Sequence, residues 1–239
     1  MEHHTYWTVR ETWRVSEHVS RLLAAAGGLQ LVNDRDVFSA CSALYRQCPV
    51  GFYGNPPFPP DFIQPRLRMP VSGFAPDYFR VGRVTLASRR LREALNQATE
   101  AVQYHPVALV AGGPDAWQQD YLWMNIVACH PAIDLERASY EMGEGTVSTT
   151  GEKFRHIQFY ERMVIRDDIA PSAELFRVAE DFTTVLASDA LAERAMRAGC
   201  TGIAFEDPAT YRNLGPLHRY RIATGVMEED MNQVFPMAR

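Results

Sequence analysis

The chain carries the same run of residue types twice, and this echo limits the folds open to it. Residues 79–95 read FRVGRVTLASRRLREAL, and residues 176–196 read FRVAEDFTTVLASDALAERAM. Both contain Phe-Arg-Val, then Leu-Ala-Ser, then a segment rich in Leu, Ala and Glu. Each copy predicts a short apolar strand that ends at a serine, Ser88 or Ser188. A helix follows, and the serine caps its first turn by accepting a backbone N–H.

The residues after each helix complete the unit. Gly199 suits the left-handed conformation that ends a helix, and a strand is predicted after it over residues 201–205. In the first copy the matching strand is predicted over residues 107–110. The sequence therefore predicts an α+β fold with mixed sheets, built from two strand–helix–strand lobes that form a pseudo-repeat. Duplication and independent use of one capping arrangement both explain the echo, and the matched triplets favour duplication.

A proline-rich segment over residues 49–76 holds eight of the fifteen prolines. Proline fixes φ and disfavours helix in the residue before it, which predicts an irregular connection. Aromatic residues such as Phe58 and Phe62 indicate that the segment packs on the body of the protein. We therefore divide the chain into an N-terminal strand and helix region, residues 1–76, and an α+β domain with an acidic tail, residues 77–239. A single compact domain is the alternative.

Periodicity places the remaining elements. It predicts strands over residues 6–15, 121–128 and 156–165, and helices over residues 17–26, 36–47 and 225–234. The spacing of Glu141 and Glu144 is compatible with a pair of carboxylates, but Gly143 and Gly145 favour a solvated turn there.

The charge is unevenly spread along the chain. The net charge is −5, because residues 1–120 sum to +1 and residues 121–239 sum to −6. Binding to a nucleic-acid backbone needs clustered Lys and Arg, so we expect no nucleic-acid partner. An acidic half suits a basic partner, and a solvated acidic surface explains it equally well. The apolar stretches are too short to span a bilayer, so we expect no membrane partner.

The four cysteines and seven histidines do not form a metal motif. Cys129 and His130 are adjacent, but neighbouring side chains on a strand point to opposite faces. We expect buried free thiols, no metal and no cofactor. An enzyme with a Cys/His or carboxylate site between the lobes is the alternative, because such residues meet only in the folded chain. A structural module of a secretion apparatus is a third possibility.

Two blocks of the chain resemble a known family. The central block, residues 123–140, carries Asn125, Asp134 and the pair Ser139-Tyr140. The C-terminal block, residues 175–206, carries Phe176-Arg177, an apolar strand, Ser188-Asp189, a helix and the run Gly199-Cys200-Thr201-Gly202-Ile203-Ala204-Phe205-Glu206. The chain resembles immunity protein family eleven of bacterial polymorphic-toxin systems over residues 78–207.

The resemblance implies a cytoplasmic protein that binds a cognate secreted toxin and neutralises it by occlusion, without catalysis. It implies no catalytic residues, and it leaves Asn125, Asp134 and Ser139 with structural roles in turns and backbone contacts.

The contact with the toxin is expected at the acidic clusters and at one aromatic residue. Toxins that attack nucleic acids or anionic lipids carry basic clefts, which an acidic inhibitor can fill. Tryptophan is a favoured interface anchor. The candidate partner-binding residues are Trp117, Asp167, Asp168, Glu180, Asp181, Glu206, Asp207, Glu228, Glu229 and Asp230. Each acidic cluster alone is also typical of a solvated face.

Overall fold

The structure is a computed structural model, and it describes residues 6–11, 30–48, 55–68, 76–81, 84–95, 100–110, 121–146, 151, 153–170, 172–181 and 183–209. Strands and helices are both present in this part of the chain, which confirms the α+β class. The strands are β1 (Tyr6–Glu11), β2 (Gln30–Leu31), β3 (Arg66–Arg68), β4 (Tyr78–Val81), β5 (Val84–Ser88), β6 (Val102–Pro106), β7 (Ala108–Leu109), β8 (Tyr121–Ile126), β9 (Cys129–His130), β10 (Ser139–Thr146), β11 (Lys153–Arg162), β12 (Leu175–Val178), β13 (Val185–Ser188) and β14 (Ile203–Glu206). The helices are α1 (Asp34–Tyr45), α2 (Arg89–Ala94) and α3 (Asp189–Arg197).

Most of the predicted elements are present with shifted ends. The predicted helix over residues 36–47 is α1, and the predicted strands over residues 6–15, 121–128 and 156–165 are β1, β8 and β11. The helices predicted over residues 17–26 and 225–234 lie outside the described residues.

Two antiparallel arrangements of four strands form the framework. The first sheet has the order β4-β5-β8-β6. The second sheet has the order β14-β1-β13-β12, which β9 extends by parallel pairing with β12. In each sheet a hairpin leads to a helix and then to an edge strand, and one further strand lies between the hairpin and that edge strand. This inserted strand is β8 in the first sheet and β1 in the second. The division of the chain at residue 76 and its single-domain alternative both stay predictions.

The β4–β5 and β12–β13 hairpins have the same register. The Phe-Arg-Val and Leu-Ala-Ser triplets of the two copies therefore occupy equivalent positions in the two sheets. Phe79 lies opposite Leu86 in the first sheet, and Phe176 lies opposite Leu186 in the second. The separation along the chain is 97 residues between the phenylalanines and 100 between the leucines. It grows because the last paired residues of the first hairpin, Val81 and Val84, have two residues between them. In the second hairpin the N–H of Val178 donates to the carbonyl of Thr184, which leaves a connection of five residues, 179–183. Duplication of one ancestral unit stays a prediction, which the shared strand order and register support.

Both predicted serine caps are present. The Oγ atom of Ser88 accepts the N–H of Leu91 at 3.1 Å, and the Oγ atom of Ser188 accepts the N–H of Leu191 at 3.3 Å. Each bond satisfies one of the backbone donors that the first turn of a helix leaves unpaired. The caps therefore fix where α2 and α3 begin, and both leucines are fully buried.

The helices α2 and α3 contact each other. Arg90 donates to the carbonyl of Gly199 after α3 at 3.4 Å, and Arg194 donates to the carbonyl of Ala94 at the end of α2 at 3.2 Å. A cation at a helix C-terminus is favoured by the helix dipole. The central cluster, which draws buried residues from both sheets and both helices, consists of Ala87, Leu91, Leu95, Val102, Met124, Ile126, Leu175, Val185, Ala187 and Leu191.

Each sheet buries its other face beneath a different cover. The first sheet packs Phe79 against residues from α1 and from the stretch 55–68. The second packs Phe176 against Ile157 of the β10–β11 hairpin and against residues from the stretch 163–173. The two sheets are therefore alike in topology and unlike in what covers them.

The described part of the proline-rich segment, residues 55–68, packs on the first sheet, as its aromatic residues predict. The ring centroid of Phe58 lies 4.3 Å from that of the buried Trp123. Gln103 donates to the carbonyl of Phe58 at 2.7 Å and accepts its N–H at 2.6 Å, and Asn125 donates to the carbonyl of Pro56 at 3.0 Å. Prolines lack an N–H, so the backbone around them cannot form a regular β-ladder. The side chains of Gln103 and Asn125 satisfy the backbone groups that are left without a strand partner.

The edge strand of the first sheet is not where the echo predicts it. β6 holds that position, whereas residues 108–109 form β7, which pairs with β3 in a separate sheet. The prediction was wrong because Gln103 and His105 interrupt the apolar pattern of β6, and both bind the backbone of the proline-rich segment. β3 also shows that the segment 49–76 is not irregular throughout.

The predicted turn at Glu141 and Glu144 is also wrong, because both residues lie in β10. A Cβ atom on Gly143 would lie 2.8 Å from the side-chain oxygen of Gln158, and one on Gly145 would overlap the ring of Phe154. The glycines therefore give room to side chains of the partner strand β11, a role that glycine takes where another group approaches the backbone closely.

A buried carboxylate joins the two sheets. Asp77, just before β4, accepts hydrogen bonds from the Oγ atom of Ser88 at 2.5 Å and from the N–H and hydroxyl of Thr201 at 2.8 and 3.0 Å. Arg90 lies 3.2 Å away. Burial by itself raises the pKa of this carboxyl, but the hydrogen bonds and the charge of Arg90 outweigh it and hold the pKa below its usual value.

We predict that Asp77→Asn destabilises the protein, because an amide cannot satisfy the donors of both Ser88 and Thr201. The free energy of unfolding should fall by about 2–3 kcal/mol at neutral pH. The lowered pKa means that the carboxylate stabilises the fold above its unfolded pKa, and that this contribution is lost as the pH falls through the folded value. The difference between wild type and variant should therefore narrow on acidification below about pH 5.

Denaturant unfolding at several pH values checks this prediction. Asp61→Asn is the control, because Asp61 is exposed and should change stability little. A difference for Asp77→Asn that is absent, or that widens on acidification, would contradict the role given to Asp77.

Candidate functional site

Two charged turns lie side by side at one end of the second sheet. Ile133 and Ile165 form an antiparallel bridge, and the N–H of Asp134 donates to the carbonyl of Val164 at 2.9 Å. Each isoleucine is followed by a turn rich in charge. The turns enclose a groove of about 490 Å³, the acidic groove, lined by Ile133, Asp134, Leu135, Glu136, Arg166, Asp167, Asp168 and Glu180. Five of these lining residues are carboxylates and one is a guanidinium.

Asp134 holds the first turn in shape. Its Oδ1 atom accepts the N–H groups of Glu136 at 3.1 Å and Arg137 at 3.0 Å, and its Oδ2 atom accepts a hydrogen bond from the Arg137 side chain at 2.5 Å. These bonds lower the pKa of Asp134, and the backbone bond from Arg137 has the largest effect. This arrangement is the turn role that the resemblance implied for Asp134.

Glu180 holds the floor of the groove. Its carboxylate accepts the N–H groups of Ala132 at 3.1 Å and Ile133 at 3.5 Å. Its own carbonyl accepts the N–H of Ile157 at 3.0 Å. Glu180 belongs to the five-residue hairpin connection of the second sheet. The shorter connection of the first sheet has no residue equivalent to Glu180, so this part of the groove is specific to the second sheet.

Asp167 and Asp168 are the carboxylates that face solvent. Their side chains are 81% and 68% exposed. Asp167 accepts a hydrogen bond from Arg137 at 3.1 Å, and Asp168 accepts two from Arg166 at 2.8 and 2.6 Å. The bonds from Arg166 lower the pKa of Asp168, which is therefore ionised at neutral pH. Exposed ion pairs are weak, so these carboxylates can exchange their arginines for the cations of a partner.

The structure brings three of the ten predicted partner-binding residues to this groove, namely Asp167, Asp168 and Glu180. Glu206 and Asp207 lie at β14, on the opposite edge of the second sheet from β9. Trp117, Glu228, Glu229 and Asp230 lie outside the described residues.

Asp181 corrects the expectation that the Glu180-Asp181 pair faces a partner. Its side chain is buried, and it accepts hydrogen bonds from the N–H and hydroxyl of Thr183 at 2.8 Å and from the hydroxyl of Thr184 at 2.6 Å. The carboxylate shapes the hairpin connection from inside, as Asp commonly does in turns.

Glu136, Arg166 and Leu135 are groove residues that the sequence analysis did not select. A signal for them exists in the sequence, since Ile133-Asp134-Leu135-Glu136 and Ile165-Arg166-Asp167-Asp168 both place charged residues directly after an isoleucine. This signal can be interpreted only when the pairing of Ile133 with Ile165 is known.

The cysteines do not have the environment of a nucleophile. None of the four forms a disulfide, and Cys41 is buried whereas Cys48, Cys129 and Cys200 are partly exposed. Burial raises the pKa of the Cys48 and Cys129 thiols, and burial together with the Asp77 carboxylate raises the pKa of Cys200 to about 11. A reactive cysteine is favoured by a lowered pKa, whereas the raised pKa keeps these three thiols protonated at neutral pH.

Among the described residues, no group of three or more His, Cys, Asp or Glu side chains is placed to hold a metal ion. No helix in the described ranges is both long and apolar enough to cross a membrane.

Residues 18–210 match the immunity protein family Imm11. The chain belongs to this family. Membership in Imm11 implies immunity to a toxin and a toxin as binding partner, and it points away from an enzyme. The matched span includes the acidic groove and all of the first sheet. No curated protein matches this Imm11 member.

We predict that Asp134→Ala loosens the first turn of the groove in this Imm11 protein. The amides of Glu136 and Arg137 lose their acceptor and should exchange with solvent faster, which hydrogen exchange resolved by NMR can measure. Asp167→Ala is the matched control, because Asp167 contacts the Arg137 side chain and neither amide. Equal exchange rates in wild type and Asp134→Ala would show that the turn does not depend on this carboxylate.

Proposed function

We propose that this protein neutralises a cognate secreted bacterial toxin by binding over its active site, without catalysis of its own. The acidic groove is the observation that carries this proposal, because it gathers five carboxylates around one guanidinium. Such a surface complements a basic cleft of the kind that binds a nucleic acid or an anionic lipid headgroup. In this proposal the protein acts in the cytoplasm of the cell that makes the toxin, within a polymorphic-toxin system.

The energetics of the groove fit a partner better than they fit a purely structural role. Asp134 and Glu180 already serve backbone N–H groups, so they hold the groove in shape. Asp167 and Asp168 instead pair with the side chains of Arg137 and Arg166, which are themselves 52% and 43% exposed. Excess negative charge of this kind accelerates association with a basic partner and gives the complex a salt-dependent affinity.

The position of the groove in the fold supports the same proposal. It is built from the cover of the second sheet and from the longer hairpin connection, residues 179–183, and neither belongs to the strand order that the two sheets share. A binding surface outside the shared framework can change with its toxin while the framework stays intact.

The direct test is protection of cells that express the toxin domain encoded beside this protein. Wild-type protein should restore growth and co-purify with the toxin domain in a one-to-one complex. Failure to bind and to protect would refute the proposal.

We predict that Asp167→Lys/Asp168→Lys weakens toxin binding at least about 100-fold, because like charges then face the basic cleft at a cost of several kcal/mol. Protection in cells should be lost with it. Asp61→Lys/Glu93→Lys is the matched control, since it makes the same charge change at exposed residues outside the groove.

Titration calorimetry at two salt concentrations separates the two variants. The control should bind like wild type with the same dependence on salt. If the two double variants bind equally well, the toxin contact lies elsewhere on the protein.

A further inference from the structure

One apolar side chain stands exposed among the charges of the acidic groove. Leu135 lies at the tip of the first turn and is 46% exposed, whereas Ile133, the other apolar residue of the groove lining, is buried. Single exposed leucines are common on protein surfaces and need no explanation by themselves. The surroundings of Leu135 set it apart, because every lining residue other than Leu135 and the buried Ile133 is charged.

The turn that presents Leu135 is fixed before any partner arrives. Asp134 accepts the N–H groups of the next two residues after Leu135, and its own carbonyl accepts the N–H of Ala138 at 2.8 Å. Arg137 ties the turn to Asp167 across the groove at 3.1 Å. A side chain held on a fixed backbone loses little conformational entropy on binding, which raises its contribution to affinity.

The charges of the groove indicate which chemical groups a partner needs around the pocket that receives Leu135. Protein interfaces draw most of their affinity from a few anchor side chains in well-packed, desolvated pockets, and the contacts around them, which become polar toward the rim, keep water out. Here the ring consists of carboxylates in excess over arginines. A partner that covers Leu135 therefore needs an apolar pocket whose rim carries Arg or Lys.

We propose that Leu135 is the central anchor of the toxin interface and inserts into an apolar, basic-rimmed pocket of the toxin. This inference rests on the proposed function and names the group that supplies its affinity. Three carboxylates of the groove, those of Asp134, Asp167 and Asp168, are already paired with Arg137 or Arg166, so exchanging these arginines for toxin cations changes the energy little. Removing the exposed part of Leu135 from water has no such offset, so the leucine supplies affinity and the carboxylates supply steering.

Titration calorimetry of the toxin domain encoded beside this protein tests the proposal. Leu135→Ala should weaken binding at least about 10-fold. The variant buries less apolar surface in the complex, and it leaves a cavity in the pocket that the leucine would fill. Leu135→Met keeps the apolar volume and should bind within a few-fold of wild type. Met196→Ala is the matched control, because Met196 is 59% exposed on α3 and does not line the groove.

The outcomes separate the anchor from the proposed function. Leu135 is exposed, so its variants should keep the wild-type melting temperature, and any loss of affinity is then a loss of contact. Leu135→Ala should also keep the wild-type dependence on salt, because it removes no charge. Wild-type binding with an unchanged Kd for Leu135→Ala would overturn the anchor and leave the proposed function standing. No binding by wild type would overturn both.

Discussion

The contact between α2 and α3 in the central cluster is the interaction on which the rest of the structure depends. Both sheets bury one face in this cluster, and Leu91 and Leu191 sit there at equivalent places behind equivalent serine caps. Asp77 reinforces the same junction, because its carboxylate binds Ser88 of the first sheet and Thr201 ahead of β14. Each sheet then has a second apolar face that must be covered.

The two sheets differ in the elements that cover them, and the proposed function depends on that difference. The first sheet uses α1 and the proline-rich segment, which hydrogen-bonds to Gln103 and Asn125. The second uses the β10–β11 hairpin and the turns of the acidic groove. In this account, stability belongs to the shared framework and recognition belongs to one cover, so the surface that meets a toxin can vary without disturbing the central cluster.

The parts of this architecture that are local in sequence were predictable. The serine caps and the apolar hairpin strands depend on residues within a few positions of each other, so the echo revealed both. Pairings between distant segments were not predictable. Nothing near Tyr6–Glu11 indicates that β1 enters the sheet between β13 and β14, and nothing near Ile133 indicates that Ile165 lies beside it. Composition also misled in one instance, because Asp181 is acidic and yet buried in its own turn.

Hydrogen exchange on the complex with the toxin domain tests the central claim most directly. If the acidic groove is the contact surface, amides over residues 132–137 and 165–168 should exchange more slowly when the toxin is bound, and those of α1 should not change. Slower exchange confined to α1 and the stretch 55–68, with the groove unaffected, would place the toxin on the cover of the first sheet and contradict the account.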